Sequence, residues 1–538
     1  MKLFENMEAF LNKNKNLFWV LLVLLAVAGI ALMIAVTPHG IGLVNDSVGY
    51  VAGARNMLGG LGYSRLTGDG SPRPITNYPP MFSILLAGIG LFGVDAIPAA
   101  QYLNIFLMGL NVFLMGVTVR KATGSSLLSL LGAVVFLVSS PVIRSHSFAM
   151  TEPLYLALAF GVLLSLLEGQ RTRRWYWLAV SGVLASLATL TRYVGISLYA
   201  TGAVALLVLC PDAMKAGIAW GKRVQHGLIF LGAGIPTVMV WLVRNYLVSS
   251  NVGNRQVIFH SVPMDKINEG LLNFWGWLLP ERGGLVENLL GFWGIVLFMI
   301  VLGLAAWAIL AAVREFQHKG QKLAVESSRF AWINALQALS YLAVLLLSLM
   351  FFDASPIFED RILLLFEVPL IVVAMAGLGW LWKRKANWLR WTVVLFSVAL
   401  LLSLSEDSLD VVKELRKDGQ GFAHSAVQES QVIAAAAALP EDVLLYSNRV
   451  TALYIVADKP AYVLPSPMNP ATQGPREGYA EDVAMIREKV LAGEGAIVFL
   501  NYSGLFDEPQ DAAWVKDLTE GIPLYGEYED GAIFAAID

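Results

Sequence analysis

The chain has 538 residues, of which 57% are hydrophobic and 15% charged, with a mean hydropathy of +0.62. A soluble globular chain of this length does not carry that balance, so the sequence is read as polytopic in a membrane. Its one cysteine, Cys210, excludes an internal disulfide framework or cysteine-based metal site, and a net charge of −3 gives no sign of a nucleic-acid partner.

The N-terminal "MKLFENMEAFLNKNKN" is too polar and too mixed in charge for a signal n-region. The run that follows, 17–36, is long enough for about 30 Å of hydrocarbon and is expected to be a retained first span. Further spans are expected at 97–119, 126–143, 153–168, 176–191, 195–211, 227–249, 289–312, 330–352, 362–382 and 389–405, about eleven in all. The run 79–94 is opened by Pro79 and Pro80 and is near the lower length limit for a span. It is read as an interfacial or re-entrant helix.

Basic residues cluster at every second turn: Lys2, Lys13 and Lys15; Arg120 and Lys121; Arg171, Arg173 and Arg174; Lys215, Lys222 and Arg223; the loop from Arg314 to Arg329; and "KRKANWLR". By the positive-inside rule these turns are cytoplasmic, as is the N-terminus. The first loop (37–96), the "RSHSFAMTE" turn, Arg192, the loop 250–288, the "FFDASPIFEDR" turn and the acidic tail then share the outer side of a plasma (inner) membrane. Most of the polar residues that stand out lie on that side.

Asp46, in "LVNDSVGYVAGARNMLGG", stands a few residues beyond the first span and ahead of an amphipathic segment that begins at Tyr50. It could act as a general base toward a hydroxyl at the lipid surface, or as part of a solvated helix N-cap. Tyr78 belongs to "NYPPM", a rigid turn into the apolar run. Arg144, His146 and Glu152 gather at the start of a span, where Glu152 would also suit the helix dipole. No dense His/Asp cluster accompanies His146, which reads as a hydrogen-bonded polar residue. Arg192 in "LTRYVGI" and Arg361 in "FEDRILLLFEVPL" sit at span boundaries, where a guanidinium suits a phosphate, a headgroup or a neighbouring acid such as Asp360.

Taken in order, the acid of the first outer loop, "GLGY", "YPP", "TEPL", "LTRYVGI", a "DR" with an apolar run, and a small terminal domain resemble the GT-C membrane glycosyltransferases. The likeness is to the polyprenyl-phosphate-sugar-dependent branch: protein O-mannosyltransferases, the aminoarabinose transferase of lipid A and rhizobial lipid A glycosyltransferases. It spans about 17–405. The resemblance implies that Asp46 is the catalytic carboxylate and that Arg361 and Arg192 take the donor phosphate. Tyr50, Tyr78, His146, Glu152 and Asp360 are then candidates around the substrate. Family members often have two adjacent acids where this chain has Asn45 and Asp46, which leaves metal dependence open: no cofactor is required by the sequence, and a divalent metal is possible.

The expected activity is inverting transfer of a hexosyl or pentosyl unit from a polyprenyl-phosphate carrier to a hydroxyl of a glycan, lipid or protein acceptor on the extracytoplasmic face. A transporter or flippase of lipid-linked sugars is the alternative, disfavoured because the ionisable residues collect at one boundary and no half-to-half repeat is visible. The expected architecture is an all-α polytopic GT-C-like domain, 1–405, and a small extracytoplasmic α/β domain, 406–538. In the latter, short runs such as "VLLYS" and "AIVFL" alternate with helical ones.

Overall fold

The computed structural model describes residues 2–209, 220–250, 259, 261–262, 264–278, 326–351, 358–383, 387–468 and 474–537. The expected span 289–312, Cys210, Arg314 and most of the loop 250–288 lie outside the described residues. Two compact units are present. One comprises 1–38, 76–82 and 100–416, the other 39–75, 83–99 and 417–538.

The first unit is helical. Helices α1 (Lys2–Lys13) and α2 (Lys15–Val36) open the chain. Between α2 and α5 (Ala96–Thr123), helices α3 (Asn45–Leu58) and α4 (Met81–Gly90) flank the hairpin of β1 (Ser64–Leu66) and β2 (Pro72–Pro74), a segment that belongs for the most part to the second unit. Then come α6 (Ser126–Leu137), α7 (Ser140–Ser147), α8 (Glu152–Thr172), α9 (Trp175–Thr191), α10 (Ile196–Leu207), α11 (Trp220–Ser249) and α12 (Met264–Leu278). The helices Glu326–Phe351, Asp360–Lys383 and Asn387–Asp418 complete this series.

Among the described residues seven helices are long and apolar enough to cross a membrane, or eight if the bent pair α6–α7 is one span. The count of about eleven is therefore not confirmed among the described residues, which leave out the expected span 289–312. The expected span 126–143 is broken instead: Ser139 is extended, Pro141 restarts the helix, and the two halves meet at 57°. The carbonyl of Val138 freed at the break accepts from Ser408 Oγ, and Ser139 Oγ accepts from Trp277 Nε1 at 2.9 Å. Helices α9 and α10 are shorter than the seven, and α4, at ten residues, is too short to span, in keeping with its reading as an interfacial piece.

Small residues set the closest helix crossings. A Cβ on Gly182 of α9 would fall onto the Phe230 carbonyl of α11, one on Gly234 onto the Gly182 carbonyl, and one on Gly202 of α10 into the Phe230 ring. Backbones approach this closely in membranes because glycine removes the obstacle and packing, not hydrophobic transfer, drives helix association.

The second unit holds a five-stranded sheet in the order β4-β3-β5-β7-β6. Strands β3 (Leu444–Ser447) and β4 (Tyr462–Val463) run parallel to each other, and β3 parallel to β5 (Gly495–Leu500). Strand β7 (Gly531–Ala535) is antiparallel to β5 and to β6 (Leu524–Tyr528). The central β5 and β7 are buried on both faces, which explains their unbroken apolar sequences. One face packs Ile497, Phe499 and Phe534 against Val483, Ile486 and Val490 of the helix Tyr479–Leu491. The other packs Val498 and Ile533 against Val432, Ile433 and Leu453. The α/β character expected for the C-terminal segment is seen here, in a unit that runs from 417 and also takes in 39–75 and 83–99.

Segments of the first loop belong to the same unit. Leu43 forms a parallel bridge with Gly421 and its carbonyl accepts from the Phe422 amide at 2.8 Å. Only a glycine suits position 421, with φ of +57° and any Cβ falling onto the Leu43 carbonyl.

Candidate functional site

Asp46 and Tyr50 belong to the second unit; Tyr78, His146, Glu152, Arg192, Asp360 and Arg361 belong to the first. Each group is built locally as follows.

Asp46 lies in the first turn of α3, one position inside the start of the helix, where a carboxylate is favoured by the unsatisfied amides and the helix dipole. The terminus itself is fastened by its neighbours. Ser47 Oγ accepts from the Val44 amide at 3.1 Å, and Asn45 Oδ1 accepts from Thr451 Oγ1 at 2.7 Å. Asn45 and Ser47 thus hold the turn while Asp46 stands half-exposed between them. Four residues on, Tyr50 is buried and its carbonyl accepts from Ser83 Oγ at 2.9 Å, tying α3 to α4. The other end of α3 is held by Arg55, which grips Asp95 with two bonds of 2.8 and 3.0 Å.

In the first unit Glu152 is fully buried at the start of α8, with its Oε1 2.7 Å from Arg192 Nη1. The same Nη1 donates to Thr151 Oγ1 at 3.0 Å. Arg192 caps α9 in an extended conformation, which turns its side chain back to the start of α8. His146, in α7 of the same unit, has its own hydrogen bonds. Its Nδ1 donates to the Val142 carbonyl at 2.8 Å, and its Nε2 accepts from Asn111 Nδ2 at 3.0 Å, an amide that also donates to the Pro153 carbonyl at 2.9 Å. Both ring nitrogens are committed, so His146 acts as a neutral structural link between α5, α7 and α8. Glu152 and Arg192, forty residues apart in sequence, are therefore brought together, while His146 bonds to Val142 and Asn111 instead.

The turn containing Tyr78 also packs in this unit. The Thr76 carbonyl accepts from Asn245 Nδ2 at 3.1 Å and from Tyr193 Oη at 3.4 Å, and Tyr193 Oη in turn accepts from Trp241 Nε1 at 3.0 Å. Arg244 lies 5.1 Å from the Trp241 ring centroid and donates to Asn245 Oδ1 at 3.0 Å. Arg361 pairs through Nε with Glu359 Oε2 at 2.7 Å, while Asp360 is exposed beside it.

Sequence reasoning missed two sets of polar residues in this unit. One is Tyr193, Trp241, Arg244 and Asn245. The other is a buried chain in which Gln337 donates to Ser197 at 3.1 Å, Thr201 donates to Gln337 at 2.9 Å, and Tyr341 donates to the Ile362 carbonyl at 2.7 Å. Glu367, buried within "ILLLFEVPL", is a further member that an intramembrane acid should have signalled. Among the described residues no group of three or more His, Cys, Asp or Glu is arranged to hold a metal ion. At the start of α3 the second potential ligand is the neutral Asn45, already engaged with Thr451.

No family model and no curated protein matches the sequence. Among solved structures, ArnT from Cupriavidus metallidurans in the apo state is 15% identical, with 96% of this chain and 97% of that one covered and a TM-score of 0.52. The apo oligosaccharyltransferase from Archaeoglobus fulgidus is 12% identical, with 94% and 73% covered and a TM-score of 0.51. The chain has the fold of these GT-C membrane glycosyltransferases.

Proposed function

We propose that the chain is an inverting glycosyltransferase that moves a hexosyl or pentosyl unit from a polyprenyl-phosphate carrier to a hydroxyl acceptor on the extracytoplasmic face of the membrane. The observation that carries this reading is the GT-C fold along 96% of the chain. It is supported by the ordered motifs, with one acid in the first turn of the first-loop helix and arginines at the ends of two later helices.

Asp46 takes the proton of the acceptor hydroxyl as its oxygen bonds to the anomeric carbon. The bond from that carbon to the phosphate oxygen breaks on the opposite face, and the electron pair leaves with the polyprenyl phosphate. One displacement inverts the configuration. The leaving group is already a competent anion, so it needs cationic stabilisation more than a general acid. Arg361 and Arg192 supply that charge. Arg192 does so as the outer half of a pair with Glu152, and Tyr50, Tyr78, His146 and Asp360 shape the surroundings. The reaction as written uses no metal.

The test is incubation of purified protein with radiolabelled polyprenyl-phosphate sugars and candidate acceptors, with and without chelator. Transfer with inverted anomeric configuration, lost in Asp46→Asn while the variant remains folded in the membrane, is expected. Full turnover in that variant removes the base assignment. Carrier crossing vesicles without any sugar transfer would make the protein a flippase instead.

A further inference from the structure

The hairpin of the first loop pairs Arg65 of β1 directly opposite Arg73 of β2. Residues in direct register share one face, with Cβ atoms about 4.5–5.5 Å apart, and like charges so placed repel. Both arginines are exposed, their backbones pair in the ladder, and neither side chain hydrogen-bonds or ion-pairs with any described residue. The acid nearest in sequence, Asp69, lies four residues from each but is already taken: it accepts from the Ser71 amide at 3.0 Å and the Ser71 hydroxyl at 2.7 Å, and from Thr67 as well.

The hairpin is also held from its other side. Asn56 Nδ2 of α3 donates to the Ser64 carbonyl and hydroxyl at 3.0 and 3.2 Å, and Gly68 at the tip lies so close to the Tyr462 ring that a Cβ could not be accommodated. Pro72 and Pro74 of β2 flank Arg73 and have no amide to contribute to the ladder, yet the register is kept. The backbone positions of the two arginines are thus held opposite each other, with both side chains on one face of the hairpin.

We propose that Arg65 and Arg73 together bind a phosphate group. Two planar forks on flexible stems that start from neighbouring Cβ atoms can converge on the several oxygens of one phosphate, and the bound anion turns a repulsive pair into two charge-assisted contacts. The chemistry is the same for a phospholipid headgroup and for free phosphate. These residues are distinct from Arg192 and Arg361, and binding here needs no sugar transfer, so this site and the proposed activity stand or fall separately.

The experiment is thermal unfolding of the full-length protein in zwitterionic micelles. Inorganic phosphate is titrated against sodium chloride of matched ionic strength, and phosphatidylglycerol is doped into the micelles in a parallel series. Bound ligand raises Tm in proportion to its occupancy of the folded state. The wild type is expected to show a saturable rise beyond that in chloride. The apparent Kd should weaken at least tenfold in R65Q/R73Q and less in R65K/R73K, which keeps charge without the fork. Saturation by phosphatidylglycerol at the lower concentration assigns a lipid headgroup, and saturation by inorganic phosphate alone assigns the free anion. Without ligand, R65Q/R73Q should unfold at or above the wild-type temperature because repulsion is removed. A lower temperature, a rise no larger than in chloride, or equal rises in wild type and R65Q/R73Q overturns the site.

Discussion

Glu152 is 0% exposed and its carboxylate faces Arg192 at 2.7 Å. Such a pair gains little over an apolar replacement of both members, because each charge has lost its hydration. Removing Glu152 is different, since the mostly buried Arg192 then loses that carboxylate and keeps its bond to Thr151. Glu152→Ala is expected to destabilise the protein by about 3–5 kcal/mol, read as a fall in the denaturation midpoint in detergent. An unchanged midpoint would mean that water or lipid already satisfies Arg192. Asp69 gives the opposite kind of prediction, with almost no burial involved. Bonds from Thr67, then from the Ser71 amide and hydroxyl, hold its carboxyl well below the usual carboxylate range. A depressed folded-state pKa contributes stability that is fully present above the unfolded value of about 3.9 and is lost as pH falls toward the folded one. Amide exchange at Ser71, corrected for the intrinsic rate, should therefore report a constant opening free energy from pH 7 to about 5 and a declining one below about 4. A decline beginning near neutrality would contradict this.

At the scale of elements, the contact of α9 with α11 rests on atoms that are absent. Gly182 and Gly234 bring two backbones together where any side chain would meet a carbonyl. Gly182→Val is expected to force the helices apart and cost at least the 1–3 kcal/mol typical of overpacking. The same change at Gly232, where a Cβ meets nothing within 4 Å, should cost much less. Equal effects at the two positions would refer the loss to helix propensity. These crossings were not legible in the sequence, because hydropathy identifies an apolar helix without saying which glycine faces which neighbour. The seven long spans were legible for the same reason, as were β3, β5 and β7, whose apolar runs reflect burial on both faces. The break between α6 and α7 was hidden inside an apolar run, although Ser139, Ser140 and Pro141 carried the signal. The β1–β2 hairpin was hidden by its three-residue strands and two prolines.

At the scale of the whole molecule, the order of motifs along the chain singled out Asp46, Arg192 and Arg361 as candidates, whereas the buried partners come from helices far apart in sequence. Periodicity gives a face and never the neighbour, so Gln337, Tyr341 and Arg244 had no signal of their own. Orientation is the property on which the proposed chemistry turns, and it is argued from charge. Of the 38 basic residues, 19 fall in the turns assigned to the cytoplasm, whereas the tail from 406 carries 23 acids and 9 bases. Lysine and arginine are retained on the cytoplasmic side during insertion, and acids have little influence, so the expected sidedness rests on the basic turns. Exposed positions on each presumed side make this measurable. In a C210S background, Glu477→Cys in the C-terminal domain and Arg174→Cys between α8 and α9 each offer one accessible thiol. A membrane-impermeant maleimide is expected to label Glu477→Cys in spheroplasts and to reach Arg174→Cys only after permeabilisation. Leu43 bridges Gly421 within one unit, so the first loop shares the side of the C-terminal domain and labelling of Glu477→Cys assigns the side of Asp46. The reverse labelling pattern would put that carboxylate in the cytoplasm, where transfer would have to compete with nucleotide-sugar chemistry, and the extracytoplasmic reaction would have to be abandoned.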